Sequence, residues 1–343
     1  MGTRGVRVSV IYFISKQIKW DDLRMEIIFN CTQDSIKKAA KALKDGQLVA
    51  FPTETVYGLG ADASNPTSVA RIYEVKGRPT DHPLIVHISS ISQVDKWAVD
   101  VPEHVINLAR NFWPGPMTLI LKRSQLAKDF ITGGQDLVGL RVPNHPTTLL
   151  LIKEFENLGG FGVAAPSANR FGAVSPTTSD AVLEELGNYL SAKDFVLDGG
   201  SSEVGIESTI IDCSGAALSI LRPGSISKEL VEEVSGLQCI DNISGRKVKT
   251  SGLLISHYSP AAEVFLDGKT FPDDGFFAMA EIETPTGALR LGAPSTIEEY
   301  AKNLYSALRL ADQKGLKRIS VIQPSGGGLA IAIRDRLSKT AAR

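Results

Sequence analysis

Four basic residues stand at the ends of helical or apolar stretches, each beside turns rich in hydroxyl groups. Lys76 and Arg78 sit in Lys76-Gly77-Arg78-Pro79, Arg141 ends Val138-Gly139-Leu140-Arg141, and Arg222 ends Leu221-Arg222-Pro223-Gly224. Arginine can grip phosphate or carboxylate oxygens with two parallel bonds, and lysine acts as a mobile point charge. Each position also has a plainer reading. Lys76 complements a helix dipole with Gly77 as the cap, and an arginine at a strand end is simply solvated. The turns are Thr53-Glu54-Thr55 within 51–60, Ser167-Ala168-Asn169 within 165–178, and Glu207-Ser208-Thr209 within 205–212. They place hydroxyls and free N–H groups at strand ends, where ligands bind in α/β sheets. Together these features predict a cationic cleft for an anionic ligand. His82 follows the Lys-Gly-Arg-Pro turn. His87 lies in the apolar run 84–88 and reads equally as a core residue or a site residue.

Other chemistries lack their residues. Gly58-Leu59-Gly60-Ala61-Asp62-Ala63 matches G-x-G-x-x-A. It stands too far beyond the preceding strand, though, and no acid ends the next one, so a glycine turn competes with a dinucleotide loop. There is no G-x-x-x-x-G-K-[ST], no G-x-S-x-G, no C-x-x-C and no H-x-x-x-H. Lys+Arg is 37 and Asp+Glu is 38, a net charge of −1, which excludes a wholesale electrostatic grip on nucleic acid or an anionic membrane. Cys31, Cys213 and Cys239 are few, odd in number and dispersed, so a disulfide scaffold is not expected. With no long apolar run and no secretory signal, the sequence reads as cytoplasmic.

The elements that must hold these residues interleave without a strict βαβ rhythm. Strands are expected at 25–29, 48–51, 84–88, 117–122, 138–142, 161–165, 195–197, 208–213 and 218–221. Helices are expected from Asp34 as cap to Gly46, and at 68–76, 103–112, 146–156, 179–186 and 226–234. That pattern gives an α/β fold with a mixed sheet. At 343 residues, two domains are expected. Residues 1–24 read as an extension outside the core, or as an added edge strand over 6–13. A catalytic domain fills 25–236 and a polar linker 237–260. A smaller α/β domain fills 261–343, with strands at 263–266, 276–280 and 318–323 and helices at 297–314 and 328–340.

Taken in order, the segments 51–63, 76–88, 112–121, 138–146, 165–177, 205–212 and 221–224 resemble the threonylcarbamoyl-AMP synthase family, the YrdC-like proteins, in its long two-domain form. The family signature pairs K-x-R with S-x-N, here Lys76 and Arg78 with Ser167 and Asn169. The resemblance implies a twisted mixed sheet around one large concave cleft, followed by a small Rossmann-like domain. It implies a reaction in which L-threonine, bicarbonate and ATP give threonylcarbamoyl-adenylate and pyrophosphate. The product would feed N6-threonylcarbamoyl modification of adenosine 37 in tRNA through a separate transferase complex, with only indirect or weak tRNA contact.

By position, the resemblance implies that Lys76 and Arg78 are the catalytic pair on the triphosphate. His82, Leu137, Ser167, Asn169, Ser175 and Arg222 would hold the nucleotide. Thr55, His87, Arg141, Ala165 and Ser208 would bind threonine, with Arg141 on its carboxylate. Mg²⁺ would ride on the phosphates, with no protein metal site. Leu137 stands where relatives often carry Thr, so its nucleotide contact falls to the main chain. Leu254, Ile255 and Ser256 stand where the long form usually has Lys, Tyr and Arg, which removes charge from a linker lid. Two other classes meet part of the pattern. One is an RNA-binding module using the same cleft. The other is a carbamoyl-transfer enzyme of hydrogenase maturation, which also needs zinc-binding cysteine pairs that this chain lacks.

Overall fold

The computed structural model describes residues 28–240, 248–250, 252 and 257–342. The extension 1–24, the start of the strand expected at 25–29, and Leu254–Ser256 of the linker lie outside the described residues.

Ten strands form one mixed sheet in the order β1-β8-β2-β3-β7-β4-β6-β5-β9-β10. They are β1 (Ile28–Asn30), β2 (Val49–Phe51), β3 (Gly58–Asp62), β4 (Ile85–His87), β5 (Met117–Lys122), β6 (Leu137–Arg141), β7 (Val163–Ala164), β8 (Phe195–Asp198), β9 (Thr209–Asp212) and β10 (Ser219–Arg222). β4 pairs parallel with β6 and antiparallel with β7, and β5 pairs antiparallel with β6 and parallel with β9. This alternation explains why no strict βαβ rhythm appears in the sequence.

Local chemistry sets the helix bounds. Helix Gln33–Lys44 is capped by Thr32, not by Asp34 as the sequence suggested: the Thr32 hydroxyl accepts from Ser35 N while Ser35 answers at Thr32 N. Helix Pro66–Lys76 starts earlier than expected because the Asn65 side chain accepts from the backbone of Thr67 and Ser68, with Pro66 at the first turn. It stops at Gly77, whose φ of 62° is left-handed, so Lys76 is its last residue.

β3 corrects the sequence reading most. The glycine-rich run 58–62 is neither a dinucleotide loop nor a turn but a fully buried strand paired antiparallel with β2. A Cβ on Gly60 would lie 2.5 Å from the Phe51 ring and 2.7 Å from Val163, so glycine is there for close sheet packing.

The second sheet is parallel, in the order β11-β14-β12-β13. Its strands are β11 (Glu263–Leu266), β12 (Gly275–Phe277), β13 (Leu289–Gly292) and β14 (Arg318–Val321), flanked by helices Ile297–Gln313 and Leu329–Ala341. β13 was not expected from the sequence. One apolar cluster crosses between the two sheets' territories. Val56, Val174 and Ile206 pack in the same core as Tyr258, Tyr300, Tyr305 and Ile333.

Candidate active site

The ends of β4, β6, β7 and β10 open onto one cleft of about 640 Å³, including its mouth. Lys76, Arg78, Arg141 and Arg222 all line it, as do Thr55, His87, Ala165, Ser167, Asn169 and Ser208. The four cations are nearly closed off from bulk solvent, at 2%, 7%, 5% and 3% exposure respectively.

Lys76 reaches from its helix end into the Ser-Ala-Asn loop. Its ammonium donates to the carbonyl of Ser167 at 2.6 Å and to that of Asn169. The K-x-R and S-x-N motifs are therefore bolted together. Burial first, and then the neighbouring Arg78, push the Lys76 pKa well below the ordinary lysine value. Arg78 donates to Pro83 O at 3.0 Å, and burial holds its pKa down at about 10. The Asn169 amide donates to Arg170 O and Ala173 O, which leaves its buried carbonyl oxygen without a hydrogen bond among the described residues. Ser167 continues the strand edge through a bridge to Gly58.

The other half of the cleft centres on Arg141. It stands beside His87 in the β4–β6 register. Its guanidinium donates to Thr55 Oγ1 at 3.0 Å and Gly115 O at 3.3 Å. It also lies 2.7 Å from Glu54 Oε1, a buried ion pair that sequence reasoning missed. The pair is close but poorly aligned, since neither Glu54 oxygen completes a hydrogen bond among the described residues. Burial, then Arg141, drop the His87 pKa to about 3, so this imidazole is neutral at pH 7. Ser208 shares a 2.8 Å hydrogen bond with Thr118. Arg222 donates to both its carbonyl and its hydroxyl, at 3.0 and 3.1 Å.

Three expected residues do not line the cleft. Ser175 turns its hydroxyl to Glu207 Oε1 at 2.7 Å. His82 sits behind the rim, edge-on to Phe171 at 5.3 Å, and Phe171 is the residue that reaches the cleft. Leu137 lies four residues along β6 from Arg141, about 13 Å away at ~3.3 Å per residue. It packs with Ile120, Ile210 and Val248 instead. Sequence reasoning also missed Glu207, His257 and Tyr258 as lining residues. His257 is neutral as well, with burial holding its pKa at about 3.

Such a lining offers buried cations and hydroxyls to anionic ligands. Comparisons with known proteins bear on the family. The family model described as "Telomere recombination" (Sua5_yciO_yrdC) matches residues 41–224, and "Threonylcarbamoyl-AMP synthase, C-terminal domain" matches 226–342. A threonylcarbamoyl-AMP synthase of Pyrococcus abyssi is 38% identical over 338 residues, covering 92% of this chain and 97% of that protein. The Bacillus subtilis synthase is 37% identical over 331 residues, covering 89% and 92%. The crystal structure of P. abyssi Sua5 complexed with L-threonine matches with a TM-score of 0.81 and 37% identity, covering 92% of this chain and 97% of that one. The shared architecture runs through both sheets, and this chain belongs to the threonylcarbamoyl-AMP synthase family in its two-domain form, a nucleotidyltransferase that makes threonylcarbamoyl-AMP from L-threonine, bicarbonate and ATP.

Proposed function

We propose that the cleft performs this reaction by position and charge, without a covalent enzyme intermediate. The threonine amine takes up the carbon of bicarbonate, releasing water and giving a carbamate. A carbamate oxygen attacks the α-phosphorus of ATP, the bond to the β-phosphate oxygen breaks, and pyrophosphate leaves. Holding two reactants in contact and neutralising the growing charge on the leaving group supplies most of what such a transfer needs.

Lys76 and Arg78 serve the phosphates. An ammonium has three N–H donors; two are held by the Ser167 and Asn169 carbonyls, which leaves one for a phosphate oxygen. Arg222, Ser167 and the side-chain amide oxygen of Asn169 face the nucleotide. Ser175 acts through Glu207, His82 through Phe171, and Leu137 by packing under the linker residue Val248. Arg141 takes the threonine carboxylate, with Thr55, neutral His87, Ser208 and the main chain at Ala165 around the rest. Mg²⁺ enters with ATP. Among the described residues, no three His, Cys, Asp or Glu side chains gather to cage an ion. A phosphate-borne ion that keeps its waters suits that lining.

The product passes to a separate transferase acting on tRNA adenosine 37, in the cytoplasm. The convergence of four buried cations on one cleft carries this reading. An RNA-binding module needs its cations exposed along a groove to reach phosphates, and these are enclosed. The test is incubation with ATP, bicarbonate and each of several amino acids, followed by mass analysis of nucleotide products. Threonylcarbamoyl-AMP with threonine, and little adduct with valine, is expected. AMP or ADP alone would refute the assignment.

A further inference from the structure

The loop that delivers Ser208 leans on the C-terminal domain at every point but the cleft. Gly205 (φ 80°) lies against helix Ile297–Gln313 so closely that a Cβ there would stand 2.4 Å from Lys302 Cα and 2.6 Å from Ala301 O. Ile206 is buried in the cluster shared with that domain. Glu207, at the cleft lining, accepts from the Tyr305 hydroxyl at 2.9 and 3.2 Å and from Arg336 Nε at 2.7 Å, as well as from Ser175. Arg336, on helix Leu329–Ala341, is fully buried and does not line the cleft. Its Nη2 donates to Glu207 O at 3.3 Å and to Pro223 O at 3.0 Å. One guanidinium thus ties the residue before Ser208 to the residue after Arg222.

We infer that Arg336 is a positioning residue for the reaction: from the C-terminal domain, it holds in place the Ser208–Arg222 pair, whose members are themselves joined at 3.0 and 3.1 Å in the substrate cleft. A planar fork holding two carboxylates, Glu207 and Asp335, and two carbonyls sets distances that a flexible ammonium cannot. The inference rests on assigning Ser208 to threonine and Arg222 to nucleotide.

The test compares Arg336→Lys and Arg336→Gln with Arg309→Gln, measuring KM for threonine, KM for ATP, kcat and the unfolding midpoint. Arg309 clamps the same domains through Glu185 at 2.9 Å and Val174 O at 2.9 Å, without touching Glu207. Arg336→Gln raises both KM values about 10-fold or more, and Arg336→Lys recovers part of that loss. Arg309→Gln lowers the midpoint but leaves both KM values within about twofold. Equal KM changes in the Arg336 and Arg309 variants, or none in Arg336→Gln, overturn the inference. If Arg336→Gln does not fold, Tyr305→Phe decides, because it removes one donor to the same carboxylate. A several-fold KM rise supports the inference and an unchanged KM overturns it. Ser208→Ala and Arg222→Gln run alongside. If neither alters KM, the site assignment itself has failed; if they do and Arg336→Gln does not, only the positioning role has.

Discussion

Replacing Arg141 by alanine removes, beside its hydrogen bonds to Thr55 and Gly115, two charged interactions that can be separated. The first is the contact with the threonine carboxylate, a charge-assisted bond worth about 1.5–3 kcal/mol. At ~1.4 kcal/mol per factor of ten, threonine KM rises about 10- to 150-fold. The second is the buried pair with Glu54, 2.7 Å away and nearly unexposed. Removing one member of such a pair strands the other charge, at about 3–5 kcal/mol of stability. Arg141→Ala therefore lowers both affinity and the urea midpoint. Adding Glu54→Gln removes the stranded charge, so the double variant regains most of the stability and none of the threonine affinity. Pyrophosphate release against threonine concentration gives the first quantity and urea unfolding gives the second. An unaltered threonine KM in Arg141→Ala would place the substrate carboxylate elsewhere. A double variant no more stable than the single one would show that Glu54 does not depend on Arg141.

Lys76→Ala lowers turnover by ~10²-fold or more by removing charge stabilisation from the leaving pyrophosphate, with single-turnover product formation as the check. His87 and His257 both hold pKa values near 3 when folded. The unfolded chain protonates them near 6.5, so stability falls as pH drops from 6.5 toward 3, by up to ~1.4 kcal/mol per pH unit for each. Urea midpoints between pH 7.5 and 5 measure that slope, to which His82 and His145, also lowered by burial, add, and His87→Asn should reduce it; an undiminished slope contradicts the account. Gly60→Ala pushes a methyl into Phe51 and Val163 and costs about 1–3 kcal/mol, read as a lower midpoint in thermal unfolding.

Strong local signals made much of the fold legible. Glu103–Phe112, Met117–Lys122 and Ser179–Leu186 appear where periodicity placed them, because amphipathic spacing and breakers bounded them. β3 was hidden for a tertiary reason. Its glycines carry no strand propensity, and their purpose is the Phe51 ring on the neighbouring strand. The cleft's cations were legible because Lys76, Arg141 and Arg222 each end an element and Arg78 follows a helix cap. Their carboxylate partners were not. Glu54 meets Arg141, and Glu207 meets Arg336, only after chain segments far apart in sequence fold together. Ser175 entered the nucleotide set by its place in the family pattern, and its hydroxyl donates to Glu207, a contact that spacing along the chain could not show.

The enclosed positive charges also bear on how long the protein survives. Burial lowers the pKa values of Lys76, Arg78 and Arg222, and Arg78 adds to the shift at Lys76, so keeping these groups charged away from water costs stability that the rest of the molecule must outweigh. A triphosphate offsets that cost, and whatever binds the native form alone shifts unfolding by mass action. Nucleotide supply is therefore also a thermostat for this enzyme: it melts earliest when starved of the substrate it consumes.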